Sequence, residues 1–270
     1  MNIPDLLLIV ALMLTAIHFG VPLAYYWYAK TKWLPKPWDV KIDPNYKPKI
    51  TIVMPTYNEA KFIERKLDNI YEQEYPKDRL KVIVVDSAST DNTSVLVKKW
   101  MEKHPDVNLK LIEEPERRGK LPAVLESLKH VSSDSDIVVF TDADAFWEPE
   151  ALNKAAMYFA DPSVGAVTAS ITYYGNEAFE NVYRNYYNMI RIAESKIYAT
   201  PIHNGQFMAI RTELLRRFGL PTFLGSDDSS FGSYIALLGF RAIQVDNIVV
   251  KEAVRGVSSV VRLGEPSIYC

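Results

Sequence analysis

Apolar and polar positions fall into two regimes along the chain. From Leu6 to Ala29 no residue carries a fixed charge. As a helix this stretch runs roughly 36 Å at about 1.5 Å per residue, longer than the roughly 30 Å of bilayer hydrocarbon. Its far end is aromatic, with Tyr25, Tyr26, Trp27 and Tyr28 and then Trp33, and such rings favour the headgroup level. Lys30, Lys32 and Lys36 follow it, while Asp5 precedes it. Residues 5–29 are therefore expected to form one transmembrane helix, and the positive flank puts the rest of the chain in the cytoplasm. A signal peptide would need a basic start and a small-residue cleavage site, and a membrane-surface helix a charged face; neither pattern is present. Pro35, Pro37, Pro44 and Pro48 then predict an extended tether over 30–48, because proline blocks helix and removes ladder donors.

From 49 to 262 the pattern changes to short β-branched runs alternating with helix-period segments. Strands are expected at Ile50–Met54, Lys81–Val85, Asn108–Ile112, Asp136–Phe140 and Gly165–Ser170. The first, second and fourth are apolar at both parities, as strands covered on both faces must be. Helices are expected near Glu59–Gln73, Asn92–His104, Lys120–Val131 and Pro149–Phe159, with Thr90 or Asp91 capping the second. Strand–helix alternation predicts an α/β domain with a mainly parallel sheet, and residues 263–270 read as a tail.

Composition narrows this further. The chain has 270 residues, with 31 Lys+Arg against 33 Asp+Glu, and this near-balance argues against a dedicated nucleic-acid binder. The one cysteine, Cys270, excludes an intramolecular disulfide framework and a cysteine-based zinc site.

In open α/β sheets ligands bind beyond the carboxyl ends of the strands. The first expected strand ends at Pro55-Thr56-Tyr57-Asn58-Glu59, the second at Asp86-Ser87-Ala88-Ser89, the fourth at Thr141-Asp142-Ala143-Asp144. Asp142 and Asp144, one residue apart on an extended chain, point the same way, and two such carboxylates suit a hard divalent ion, Mg²⁺ or Mn²⁺, that also binds phosphates. A solvated turn capping the next helix is the plainer reading of the same residues. Arg117, Arg118 and Lys120 surround Gly119 at a helix start, an arrangement for anions, with Lys120 at phosphate and Arg117 solvated. Tyr57 offers a flat ring to a base or sugar. Gly225-Ser226-Asp227-Asp228-Ser229 precedes an apolar helix and can supply a cap or a general base. Phe179 to Ile197 mixes aromatic and basic residues at helical spacing, for packing on the sheet or for lying on a membrane.

Together these residues resemble the family-2 inverting glycosyltransferases of GT-A fold, most of all the cellulose-synthase-like, membrane-attached branch. The resemblance covers roughly residues 49–250 and rests on Pro-Thr-Tyr-Asn-Glu (55–59), Val-Val-Asp-Ser-Ala-Ser-Thr-Asp-Asn-Thr (84–93), Arg-Arg-Gly-Lys (117–120), Asp-Ala-Asp (142–144) and Ser-Asp-Asp (226–228). It implies a GT-A domain over 49–262, a Rossmann-like mixed, mainly parallel sheet with flanking helices. It implies that Thr56, Tyr57, Glu59 and Asp86 hold the nucleoside of a nucleotide-sugar, that Lys120 approaches the diphosphate, and that Asp142 helps hold the nucleotide. Asp144 would be the main ligand of Mn²⁺ or Mg²⁺, and Asp228 the general base. His203-Asn204-Gly205-Gln206 would line the acceptor side.

The expected activity is transfer of one hexose, from GDP-mannose or a UDP-hexose, to a glycan or lipid-linked acceptor beside the membrane. Ser87 stands where many relatives carry a second Asp, and Asp227 where they carry Glu. The Gln-x-x-Arg-Trp motif of processive relatives is missing from Val254 to Leu263, which favours addition of a single sugar over polymer synthesis. Two other readings compete: a catalytically inactive nucleotide-binding scaffold on the membrane, and a sugar-nucleotide pyrophosphorylase. The second would show a Gly-rich start after the first strand, where this chain has Pro55-Thr56-Tyr57.

Overall fold

A computed structural model describes residues 3–173, 178–220 and 229–252. Its strands are β1 (Ile50–Thr56), β2 (Leu80–Asp86), β3 (Leu109–Glu113), β4 (Ile137–Phe140), β5 (Ala145–Trp147), β6 (Val164–Tyr173), β7 (Met208–Arg211) and β8 (Arg241–Glu252). They form one sheet in the order β3-β2-β1-β4-β7-β6-β8-β5. Pairing is parallel among β3, β2, β1 and β4 and between β6 and β8, and antiparallel where β7 meets β4 and β6 and where β5 meets β8. β8 therefore points the same way as β4, and their carboxyl ends share one edge. The expected mixed, mainly parallel sheet is present, and all five expected strands are in it. β5, β7 and β8 were not anticipated.

Helices cover both faces, as the two-parity strands require. Ile52 and Met54 of β1 with Val82 and Val84 of β2 face a core shared with α2 (Ile63–Tyr71), α3 (Thr93–Lys103) and α5 (Ala151–Ala156). Val53, Ile83 and Val85 face the opposite core, with α4 (Lys120–Leu128), α7 (Thr212–Phe218) and α8 (Ser229–Leu237). Each fully buried aliphatic side chain here contributes about 1.5–3 kcal/mol, so the register of the central strands is set from both sides.

The N-terminal helix α1 (Ile3–Tyr28) buries none of its residues and continues through a π-helical turn, Ala29–Trp33. The helix is long and apolar enough to cross a membrane. Its end is fastened to α6 (Ala178–Ile197): Tyr25 donates to Glu194 at 2.6 Å, and Tyr26 stacks on Tyr186 with ring centres 5.0 Å apart. The segment expected as a tether lies along the domain. Lys196 Nζ reaches Leu34 O at 2.8 Å, Trp38 packs edge-on against Tyr158, and the Lys41 amide donates to Asp161 at 2.7 Å. Asp39 pairs with Arg241, and Tyr75 OH donates to Pro48 O at 2.6 Å.

α6 packs on the sheet, the first of the two readings of its aromatic sequence. Asn188, Ile190, Ile192, Ala193 and Ser195 are buried toward the sheet, where the Asn188 amide donates to Ile171 O at 3.1 Å. Val182 and Tyr183 are 68% and 57% exposed.

Candidate active site

The carboxyl ends of β1 and β2 are stitched together by their own polar side chains. The Asn58 amide donates to Ser89 Oγ at 2.8 Å and the Thr90 amide to Asn58 Oδ1 at 2.8 Å. The Glu59 amide donates to Thr93 Oγ1 at 2.9 Å, and the Ala60 amide to Asp91 Oδ2 at 2.9 Å. Asp91 also accepts from the Thr93 amide, the first of α3, at 3.1 Å; these donors hold its carboxyl below the usual range although burial opposes them. Asn58, Ala88 and Asn92 all take positive φ in these loops, a cost accepted where side-chain bonds over-determine the backbone.

A cleft of about 490 Å³ opens above this edge, lined by Thr56, Tyr57, Glu59, Ser87, Arg117, Lys120, Asp142, Asp144 and Glu252 among others. Six of the expected residues, Thr56, Tyr57, Glu59, Lys120, Asp142 and Asp144, thus come together. Asp86 does not reach the lining. It is 3% exposed and accepts from the Ser89 amide at 3.1 Å and from Thr56 Oγ1 at 3.4 Å, so it builds the floor that carries its neighbour Ser87. Asp228 and Asp227, like residues 254–263, lie outside the described residues.

Basic groups reach the cleft through α4. Glu114, 6% exposed, accepts from Ser87 Oγ at 2.7 Å and pairs with Arg118, which pins the preceding loop to the β2 end. Gly119, at φ +102°, turns the chain into the helix, a backbone state closed to side-chain-bearing residues at ordinary cost. Lys120 then opens α4 at the cleft and contacts Asp142 at 2.8 Å. Arg117, expected in solvent, instead lays its guanidinium 3.9 Å from the centre of the Tyr57 ring. The helix N-terminus and two cations make an anion-binding wall.

The acidic pair is presented by a turn. β4 stops at Phe140, and the Ala145 amide closes back on Asp142 O at 3.4 Å. The strand alternation expected for Asp142 and Asp144 does not apply, yet both carboxylates border the cleft. Asp144 is only 2% exposed. Beneath the turn sits Lys66 of α2, fully buried, donating to Ala145 O at 2.5 Å and lying 3.7 Å from the centre of the Trp147 ring. Burial drives its pKa well down against the pull of Asp142 and Asp144.

Among the described residues no three His, Cys, Asp or Glu side chains gather into a self-sufficient metal cage. Two carboxylates beside an anion-binding wall suit an ion that takes one or two protein oxygens and completes its shell with phosphates and water, which is the habit of Mg²⁺ and Mn²⁺.

Glu252 was missed from sequence. It ends β8, opposite Ala145 in the β5–β8 register, and burial pushes its carboxyl up while Gln206 donates to it. The signal was available, since Glu252 follows an apolar strand end as Asp86 and Asp142 do. His203 is 1% exposed, and Asn204 is tied to Arg191 at 2.9 Å and to Ala169 O at 3.1 Å, so neither is presented to an acceptor here.

Residues 51–219 match the model of glycosyl transferase family 2. The chain belongs to this family. Its fold is GT-A-like, mixed α/β, with a long apolar helix before it. A mannosyltransferase from Pyrobaculum calidifontis, PcManGT, solved with GDP-Man and Mn²⁺, is 51% identical with a TM-score of 0.83, over 92% of this chain and 69% of that one. TarS from S. aureus, solved with UDP-GlcNAc, is 23% identical with a TM-score of 0.60 over 79% of this chain and 62% of that one, a likeness of fold alone. Among curated proteins, a dolichyl N-acetyl-alpha-D-glucosaminyl phosphate 3-beta-D-2,3-diacetamido-2,3-dideoxy-beta-D-glucuronosyltransferase from Methanococcus voltae is 35% identical over 89 residues, 33% of this chain and 27% of that protein. This family-2 chain therefore spans about a quarter of that relative's length.

Proposed function

We propose that this chain is a membrane-anchored, metal-dependent inverting glycosyltransferase of the cellulose-synthase-like branch. It moves one hexose from a nucleotide-sugar to a glycan or lipid-linked acceptor. The observation that carries this reading is the meeting of Asp142 and Asp144 with Lys120 and the α4 N-terminus in one cleft, beside the Tyr57–Arg117 stack. GDP-mannose is the first donor to test, because the 51% identical mannosyltransferase was solved with GDP-Man and Mn²⁺.

In this reading Thr56, Tyr57 and Glu59 hold the nucleoside, and Asp86 supports them from below. Lys120 and the helix N-terminus bind the diphosphate, Asp142 orients the nucleotide, and Asp144 is the main metal ligand. A bound Mn²⁺ or Mg²⁺ supplies positive charge where the leaving diphosphate gathers negative charge. Asp228 takes the proton of an acceptor hydroxyl as its oxygen bonds to the anomeric carbon and the bond to the diphosphate oxygen breaks, which inverts the centre. The apolar α1 supports a single-pass anchor, its Lys-rich exit supports a cytoplasmic domain, and the anchor favours an acceptor carried by the membrane.

The test is donor binding and turnover with a panel of nucleotide-sugars, with and without Mn²⁺, in the wild type, Asp144→Ala and Asp228→Ala. Metal-dependent binding of one donor should vanish in Asp144→Ala. Asp228→Ala should keep binding and lose turnover. No donor bound, or both variants matching the wild type, overturns the reading.

A further inference from the structure

The order of strand ends along the sheet edge gives the cleft a direction. Ser87 follows β2, Thr56 ends β1 and Tyr57 follows it, Asp142 follows β4, and Glu252 stands on β8 directly opposite Ala145, the residue after Asp144. A nucleotide-sugar is laid out in the same order, base, diphosphate, sugar. With the base near Tyr57 and the diphosphate near Lys120 and Asp144, the sugar end falls toward Glu252.

Glu252 has an unused acceptor there. Its side chain is 20% exposed and lines the cleft, and its Oε2 is buried with no hydrogen bond among the described residues. Arg184 of α6 stands 3.7 Å from that oxygen, near enough to attract the carboxylate but beyond hydrogen-bond reach. Gln206 also donates to the same carboxylate. A buried carboxylate oxygen lacking a donor is costly, and a sugar hydroxyl is a donor of the right kind.

We propose that Glu252 is a specificity-determining residue that accepts hydrogen bonds from hydroxyls of the transferred hexose, with Arg184 and Gln206 holding it in position. This rests on the nucleotide-sugar reading of the cleft. It assigns the sugar end of the site to β8, apart from the nucleotide and metal groups on β1, β4 and α4.

The test compares a ligand with the sugar to one without it. Affinities for GDP-mannose and for GDP, both with Mn²⁺, are measured by calorimetry on the full chain in detergent, for the wild type, Glu252→Ala and Glu252→Gln. In Glu252→Ala the ratio of GDP-mannose to GDP affinity should fall about tenfold or more, the size of a lost charged hydrogen bond. GDP affinity itself should stay within about twofold, which also reports an intact cleft. Glu252→Gln, which keeps the shape and one acceptor, should fall between. An unchanged ratio overturns the proposal, as does an equal loss for both ligands, which would place Glu252 at the metal, the diphosphate or the fold. A wild type that binds neither ligand refutes GDP-mannose as the donor, and this inference as stated with it, while the donor panel separately decides the nucleotide-sugar reading.

Discussion

His203 should make the protein acid-labile by an amount the structure allows to be worked out. The ring is 1% exposed, and neither of its nitrogens has a hydrogen-bond partner among the described residues. α8 closes over it so tightly that a Cβ at Gly232 would lie 2.8 Å from His203 Cδ2. Burial pushes its pKa from 6.5 down to about 3; the Ala242 carbonyl pulls the other way, and the Arg191 guanidinium adds to the fall. That carbonyl already accepts from the Thr200 amide at 2.8 Å. The unfolded chain therefore binds this proton first as pH drops. Stability is whole above about pH 6.5 and is lost progressively between there and about pH 3. At about pH 5 the loss from this one ring is about 2 kcal/mol. The assay is urea unfolding of the full chain in detergent, followed by tryptophan fluorescence at about pH 7.5 and about pH 5. His203→Gln is the control, since it cannot titrate. The wild type should lose about 2 kcal/mol more than the variant between the two conditions. Equal losses would refute the reasoning, because the folded state would then be accepting the proton as readily as the unfolded one.

Four further outcomes can be checked in the same assay. Arg241, 6% exposed, donates to Tyr198 O at 3.0 Å and Ser195 O at 2.9 Å, so Arg241→Met should cost about 2–4 kcal/mol by stranding both carbonyls. Asp39→Asn should cost less than about 1 kcal/mol, because its side chain is 62% exposed. Gly165→Ala places a Cβ 2.7 Å from Ile235 and 2.8 Å from Phe240, and should lower stability by about 1–3 kcal/mol in an unfolding titration. Ala88 sits at φ 56°, and Ala88→Gly should raise the unfolding midpoint by relieving about 1 kcal/mol of left-handed strain.

The parts of the fold legible in sequence were those whose pattern is local. β1, β2 and β4 are buried on both faces, and unbroken apolar runs say so. β8 was illegible because its middle carries Gln244, Asp246 and Asn247. Gln244 is fully buried, its side-chain amide donating to Asn188 Oδ1, arriving on α6, at 2.9 Å and to Ser170 Oγ at 3.3 Å, partners no local window contains. β5 and β7, of 3 and 4 residues, are too short to show a period. In the cleft, six of the residues singled out by sequence order meet in the lining, while Asp86 lies beneath it. The direction of that side chain is decided by which loop amides need an acceptor, and the Ser89 amide claims it. The tether was expected over 30–48 from its prolines; Lys30–Trp33 continue the helix, and the chain is irregular only after that. Whether irregular chain hangs free depends on Trp38, Asp39 and Lys41 finding partners, which only the folded domain supplies.

The fastening of α1 to α6, and of the following segment to the domain, has a consequence for how such an enzyme meets its acceptor. A leash lets a domain sample a hemisphere of heights and tilts, and any acceptor within its radius is eventually reached. Here the Tyr26–Tyr186 stack and the Lys196–Leu34 bond tie the helix end to the domain, and to the extent that these ties hold, the two would turn together. With α1 across a bilayer, the cleft is carried at a set elevation, like a tool on a bracket. Diffusion in the membrane plane remains free, while travel along its normal is removed. If, as proposed, the acceptor is carried by the membrane, it would be selected first by how far it stands from the lipid surface, and lengthening its spacer by a few ångströms should matter as much as changing its chemistry.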